Sequence, residues 1–283
     1  MLLHEDTSFA CYSLPGSTNF ELIQGEILKL PICELPNESG FLIAEFENNR
    51  QAYFLSCSTK KTNPTFTFDA THNFNMVNIT ESNYLDLCKD YITYCQLNLS
   101  KIVLSRIKTI PVSLRADRLF HAFKNAYPNA FVYLINSTEF GTWIGATPEI
   151  LLKRKFNQYT TIALAGTKPL IGNTQWTSKE KNEQQLVTDF ILDELKNLKI
   201  EASSVGPTTV NAGNLQHICT QLNFKTETER CKIINALHPT PAVCGLPPRQ
   251  AKEKIMTSEL HSRELYTGFL GPINFDNKDH LYV

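Results

Sequence analysis

Lys101, Glu149, Glu180 and Glu183 are the side chains whose setting suggests acid–base or metal chemistry. Lys101 opens a segment, Lys-Ile-Val-Leu-Ser-Arg, that reads as a strand from Lys101 to Ile110 and shares one face with Val103, Ser105 and Ile107. An amine among apolar neighbours is desolvated, which lowers its pKa and makes it a usable base. A strand-end lysine that snorkels to water fits the same pattern. Glu149 ends the turn Thr147-Pro148-Glu149, just before the apolar run Ile150-Leu151-Leu152. Such a turn either points a carboxylate into a cleft as a general acid or leaves it in solvent. Glu180 and Glu183 lie early in a helix expected over about 178–199, whose apolar stripe includes Val187, Ile191 and Leu195. Their spacing places both acids on the side facing the protein. Two inward carboxylates suit Mg²⁺, whereas acids at a helix start also serve as caps favoured by the dipole.

Three further sites could line a pocket. His217 alternates with Leu215 and Cys219 on one strand face, and His238 begins a rigid His-Pro-Thr-Pro-Ala turn. Either histidine could equally be a satisfied core or cap residue. Ala165-Gly166-Thr167 closes a strand and lets a ligand approach the backbone closely. No GxxxxGK[ST] or GxGxxG phosphate loop occurs.

The elements that must position these groups are mixed. Residues 1–80 read as β-rich, with short apolar runs such as Phe41 to Phe46 separated by Pro, Asn and Gly. A helix is expected over 82–97, and Asp117 could cap another that runs to Tyr127, where Pro128 stops it. Strands are expected at 130–136, 140–145, 149–154, 160–165, 214–223 and 264–270, and helices at 227–237 and 249–260. Asp276 and Asp279 fall in an expected hairpin turn. Strands and helices that do not strictly alternate indicate an α+β chain with a large antiparallel sheet system.

Composition removes several function classes. The 283 residues are 42% hydrophobic and 19% charged, an ordinary globular balance rather than a disordered one. A net charge of -1 lacks the basic excess of a nucleic-acid binder. The longest apolar run, Ala130 to Ile135, suits a buried strand and is too short for a bilayer, so no membrane partner is expected. The acidic start Met-Leu-Leu-His-Glu-Asp does not fit a signal peptide. Eight dispersed cysteines without a CxxC pair read as reduced thiols in a cytoplasmic protein.

Taken in order, KIVLSR, GATPEIL, ALAGT, KEKNEQQLVTDFI, NLQHICT, HPTPAVCG and RELYTGFLG resemble the chorismate-utilising enzymes. That family includes isochorismate, salicylate, anthranilate and aminodeoxychorismate synthases. The likeness runs from about residue 85 to 283. It implies an anthranilate-synthase component I-like (aminodeoxychorismate synthase) fold, with large antiparallel sheets flanked by helices. One chorismate-binding domain would span 1–283, with its core in 81–283, acting as a monomer. The HPTPA turn is similar to the isochorismate synthase branch, and Lys101 fits the members that use water. The implied activity is Mg²⁺-dependent isomerisation of chorismate to isochorismate, for menaquinone or siderophore synthesis. The resemblance makes Lys101 the base, Glu149 the acid and Glu183 the Mg²⁺ ligand supported by Glu180. It places Gly166, Thr167, His217, His238 and Tyr266 around the substrate. Salicylate synthase, or an inactive truncated homologue, are the alternatives. Family members usually continue for several tens of residues past His280-Leu-Tyr-Val283, through a strand Arg, a GAGI turn and a Glu-rich helix. A chain without them is expected to fold less stably and to bind Mg²⁺ weakly.

Overall fold

Apolar runs bounded by Pro, Asn and Gly become strands wherever a partner strand lies alongside, and that condition shapes this molecule. The computed structural model describes residues 1–70, 79–172 and 175–283. In chain order come β1 (Phe9–Ser13), β2 (Glu21–Gln24), β3 (Ile27–Pro31), β4 (Gly40–Ala44), β5 (Gln51–Ser56) and β6 (Thr59–Thr62). There follow α1 (Glu81–Asn98), β7 (Lys101–Ile102), α2 (Ala116–Ala126), β8 (Phe131–Ser137), β9 (Gly141–Thr147), β10 (Ile150–Lys155) and β11 (Gln158–Pro169). Next are α3 (Ser178–Asn197), β12 (Ala202–Ala212), β13 (Leu215–Lys225), α4 (Arg230–Leu237) and β14 (Gly245–Leu246). The last elements are α5 (Pro248–Ser258), β15 (Phe269–Ile273) and β16 (Lys278–Tyr282).

Two antiparallel sheets carry the architecture. A nine-stranded sheet has the order β12-β13-β11-β10-β16-β15-β4-β5-β3, and a five-stranded sheet the order β6-β2-β1-β8-β9. In both, strands from the first 80 residues form one end of the sheet and pair directly with later ones, β1 with β8 and β4 with β15. The sheets face each other through Tyr12, Phe41, Phe131 and Tyr282, with the last two rings stacked 4.3 Å apart. The other face of the large sheet is covered by α3 and α4, whose Val187, Ile191, Leu195, Ile233 and Ile234 pack on Leu151, Ala163 and Leu222. Phe120 of α2 covers the outer face of the small sheet. This is the α+β arrangement of large antiparallel sheets flanked by helices that the sequence implied. Among the described residues no helix is long and apolar enough to cross a membrane.

Several local expectations are corrected. The strand expected over Lys101 to Ile110 stops at Ile102, because only β14 lies beside it. Beyond it Ile107, Ile110 and Val112 have no neighbouring strand among the described residues and are exposed. The last expected strand begins at Phe269 rather than 264. β12 was not anticipated: it is an exposed edge strand whose partner among the described residues is β13, so burial writes no apolar pattern into it.

Asp279 sits not in a turn but inside β16, wholly buried. Arg154 donates to both its oxygens, Arg230 to one, and the Asn274 backbone N–H to the other. Burial pushes this carboxyl up, but the two guanidiniums more than reverse that and hold it below the usual carboxylate range. The pair therefore stabilises the fold at neutral pH, and that contribution is lost as pH falls through the lowered pKa. Asp279→Asn leaves two partly buried guanidiniums without a counter-ion and should cost about 3 kcal/mol. Urea denaturation measures it; a loss below ~1 kcal/mol would assign the pair no stabilising role.

The expectation of eight free thiols is also corrected. Cys33, in a short turn of helix at Ile32–Glu34, is disulfide-bonded to Cys231 of α4, 198 positions away. The fold brings their Cα atoms to 5.0 Å, a relation that no local spacing could carry. Cys33→Ser should lower stability by about 2–4 kcal/mol in non-reducing buffer and leave it unchanged in reductant. Equal unfolding midpoints in both buffers for the unmodified chain would show that the bond does not form in solution.

Candidate active site

Glu149 is held at the turn where the chain crosses from β9 in the five-stranded sheet to β10 in the nine-stranded one. The Thr147 hydroxyl accepts from the Glu149 backbone N–H at 3.2 Å, bending the chain around Pro148. The partly buried carboxyl faces the His238–Ala242 turn, where the Thr240 hydroxyl donates to its Oε1 at 3.2 Å. Burial raises its pKa to about 7, against the opposing pull of the Thr240 hydrogen bond and the charge of Lys101. A carboxyl that still carries its proton near neutrality can act as a general acid.

Lys101 reaches the same turn from the other side. Its strand pairs with β14, placing Lys101 opposite Leu246. Gly245 is required there, since a Cβ would lie 2.4 Å from the Lys101 carbonyl oxygen. The Lys101 Nζ is buried and donates to the Pro241 carbonyl at 2.9 Å and the Ala242 carbonyl at 3.4 Å. It also pairs with Glu183 Oε1 at 3.0 Å. Of the two readings of this lysine, the structure chooses the buried one.

Glu183 comes from the inward face of α3, and β11 and β13 supply the third wall. Gly166 forms a bulge in β11 with φ +72, where a Cβ would meet the Glu180 carbonyl oxygen at 2.9 Å. Both the backbone sign and the close approach of α3 call for glycine. Beside it the Thr167 hydroxyl and His217 Nδ1 lie 3.0 Å apart. Burial lowers the His217 pKa, favouring a neutral ring. Glu149, Gly166, Thr167, Glu183, His217 and Ala242 line one cavity of about 240 Å³. A larger groove, about 630 Å³, lies beside Arg154 and Arg230 and shares none of these residues. Chemistry rather than size distinguishes the smaller one.

Three expected site residues stand elsewhere. Glu180 closes a capping box with Thr177, its carboxylate accepting from the Thr177 hydroxyl and backbone N–H. These bonds, the hydroxyl's first, hold its pKa below the usual range, and in this structure its carboxylate serves as a helix cap. His238 is buried outside the cavity with both ring nitrogens engaged, one with the Asn48 amide and the other with the Thr267 carbonyl. Burial drives its pKa down to about 4, so it is a neutral strut of the turn. Tyr266 is 55% exposed and does not line the cavity. Conversely, Thr240 was missed. Its signal was present, because it belongs to the HPTPA segment that the sequence singled out as a whole.

The donor set admits Mg²⁺ only in part. Among the described residues no cluster of three His, Cys, Asp or Glu side chains forms. Glu183 lines the cavity as a partly exposed carboxylate paired with Lys101, while the Glu149 carboxyl is bonded to Thr240. That fits an ion which keeps several waters and takes one or two carboxylates plus substrate oxygens.

A family model described as chorismate binding enzyme matches residues 37–283. The chain belongs to this family. Isochorismate synthase EntC of Escherichia coli (strain K12) is 28% identical, over 61% of this chain and 48% of that protein. The chain thus spans about half the length of such curated relatives. The menaquinone-specific isochorismate synthase MenF of Escherichia coli superposes with a TM-score of 0.78 at 17% identity, covering 99% of this chain and 79% of that one. Anthranilate synthase component I of Streptococcus pneumoniae gives 0.60 at 14%, covering 97% and 80%. The fold is therefore the anthranilate-synthase component I-like one, and Lys101, Glu149 and the cavity all lie within the matched residues.

Proposed function

We propose that the protein is an isochorismate synthase, which isomerises chorismate by adding water at ring carbon 2 and expelling the 4-hydroxyl. The observation that carries this reading is the meeting of Lys101, Glu149 and Glu183 around the His238–Ala242 turn. Isochorismate synthases among the relatives support the same branch. Water's oxygen bonds to carbon 2 while a neutral Lys101 amine takes its proton. The ring double bonds shift, the bond from carbon 4 to its hydroxyl breaks, and Glu149 protonates the departing oxygen. The two groups differ in direction: one must arrive without a proton and the other with one. Glu183 is the residue suited to hold Mg²⁺ with a substrate carboxylate. The ion, when bound, offsets the substrate's negative charge. Thr167 and His217 offer hydrogen-bonding groups on the facing wall. Menaquinone or siderophore synthesis would consume the product.

Incubation of the purified chain with chorismate and Mg²⁺, followed by chromatography with mass detection, tests the reading. Isochorismate alone is the expected product. Salicylate with pyruvate would move the protein to the salicylate synthase branch. Folded protein that binds chorismate without turnover would make it a binding homologue.

A further inference from the structure

We propose that Arg263, locked to Glu259, is the positioning residue that sets where the Lys101 amine sits. The assignment of Lys101 as base rests on the function proposed above, but the geometry of the clamp does not. Both side chains are 2% exposed. All five guanidinium donors are used: Nε and one NH₂ proton bond the Glu259 carboxylate at 2.8 and 2.6 Å. The remaining three reach the Val103 carbonyl at 2.7 Å, the Val243 carbonyl at 2.8 Å and the Thr267 hydroxyl at 3.3 Å. Glu259 spends its remaining capacity on the Ser105 backbone N–H and hydroxyl, at 2.7 and 2.9 Å. The guanidinium also lies over the Phe46 ring, 4.6 Å from its centroid.

The two carbonyls explain why this pair is more than a core ion pair. Val103 lies two residues after Lys101, and Val243 directly follows Ala242, whose carbonyl holds the Lys101 Nζ. One planar fork therefore binds the lysine's strand and the lysine's acceptors at once, in register with the Val103–Cys244 backbone hydrogen bond. Thr267 extends the lattice, since its carbonyl accepts from His238 at the start of the same turn. Beyond Ile102 the strand has no sheet neighbour among the described residues, so Arg263 and Glu259 replace the ladder that would otherwise fix it. A lysine at 263 has three donors and no fork, and cannot serve both chains and the carboxylate.

The test compares the unmodified chain with Arg263→Lys and Ser105→Ala. Two readouts are taken: kcat and KM with chorismate, and the rate of Lys101 acetylation by acetic anhydride. Peptide mass spectrometry follows the latter against the exposed Lys89 as internal reference. Arg263→Lys should lower kcat by about 10²-fold with KM little changed, as expected of a displaced reacting group. Lys101 acetylation should speed up several-fold while near-ultraviolet circular dichroism stays native. A folded Arg263→Lys protein with unchanged kcat and unchanged Lys101 reactivity overturns the proposal. Should that variant fail to fold, Ser105→Ala decides, with faster Lys101 acetylation supporting the clamp and an unchanged rate overturning it. If the unmodified chain does not turn over chorismate, the function reading fails, and the acetylation rates still decide the clamp.

Discussion

Glu149→Gln is expected to lower kcat by about 10²–10⁴-fold while leaving the fold intact, because the amide is isosteric but has no proton to give the departing hydroxyl. The Thr240 hydroxyl keeps its acceptor, so the His238–Ala242 turn should not move. The same substitution carries a second, opposite signature in stability. Between the ordinary glutamate pKa near 4.5 and its folded value of about 7, the native chain retains a proton that the unfolded chain has lost. Stability from this group is fully present at low pH and declines as pH rises through that window. The ceiling on the effect is roughly 3 kcal/mol, less to the extent that water reaches the carboxyl through the cavity. Glu149→Gln should therefore match the unmodified chain near pH 4 and be the more stable protein at pH 8. Thermal melts across that range check it, and equal melting temperatures at both ends would remove the claim of a proton-bearing carboxyl. If the unmodified chain turns over chorismate as proposed, the alkaline limb of kcat/KM should fall near pH 7, as the acid is lost.

Lys101→Ala is expected to abolish measurable turnover, a loss of about 10²–10⁴-fold for a base in this position. It should also cost stability, since the Pro241 and Ala242 carbonyls lose a buried donor, at about 1–3 kcal/mol. Lys101→Gln separates the two effects: it restores a donor to the turn but not the base. Recovery of stability without recovery of kcat is the expected outcome. Turnover in Lys101→Gln above a tenth of the unmodified rate would remove Lys101 from the chemistry. Removal of the Lys101 amine also leaves the Glu183 carboxylate without its partner at the cavity, which should raise KM for a substrate carrying carboxylates.

Much of the framework was readable without a structure, for local reasons. α3 spans Ser178–Asn197 against an expected 178–199, because its apolar stripe repeats with the helical period and its inward face packs on the sheet. The turn that carries Glu149 was legible from Gly145, Thr147 and Pro148 ahead of the apolar run Ile150–Leu152; that it crosses from one sheet to the other was not. The residue types were legible as well: an amine, an acid and an inward carboxylate, in an order that resembles one family along most of the chain.

The pairings were not. Lys101 finds its carbonyl partners 140 and 141 residues away. Thr240 reaches Glu149 across 91 residues, and Cys33 meets Cys231 across 198. Glu180 and Glu183 differ by three positions on one helix, yet one closes a capping box and the other faces the cavity. Helical spacing puts two such acids on the same side, but only the bulge at Gly166 and the approach of Lys101 separate their roles. His238 and Asp279 show the same limit, since each is occupied by partners from remote strands or turns. By itself, then, the sequence determined the helices, the turns and the kinds of chemistry on offer. Tertiary structure alone decided which groups meet and which are spent on holding the fold. Periodicity and turn preference act between near neighbours along the chain, whereas burial and hydrogen-bond partners depend on segments that come together only when the sheets close.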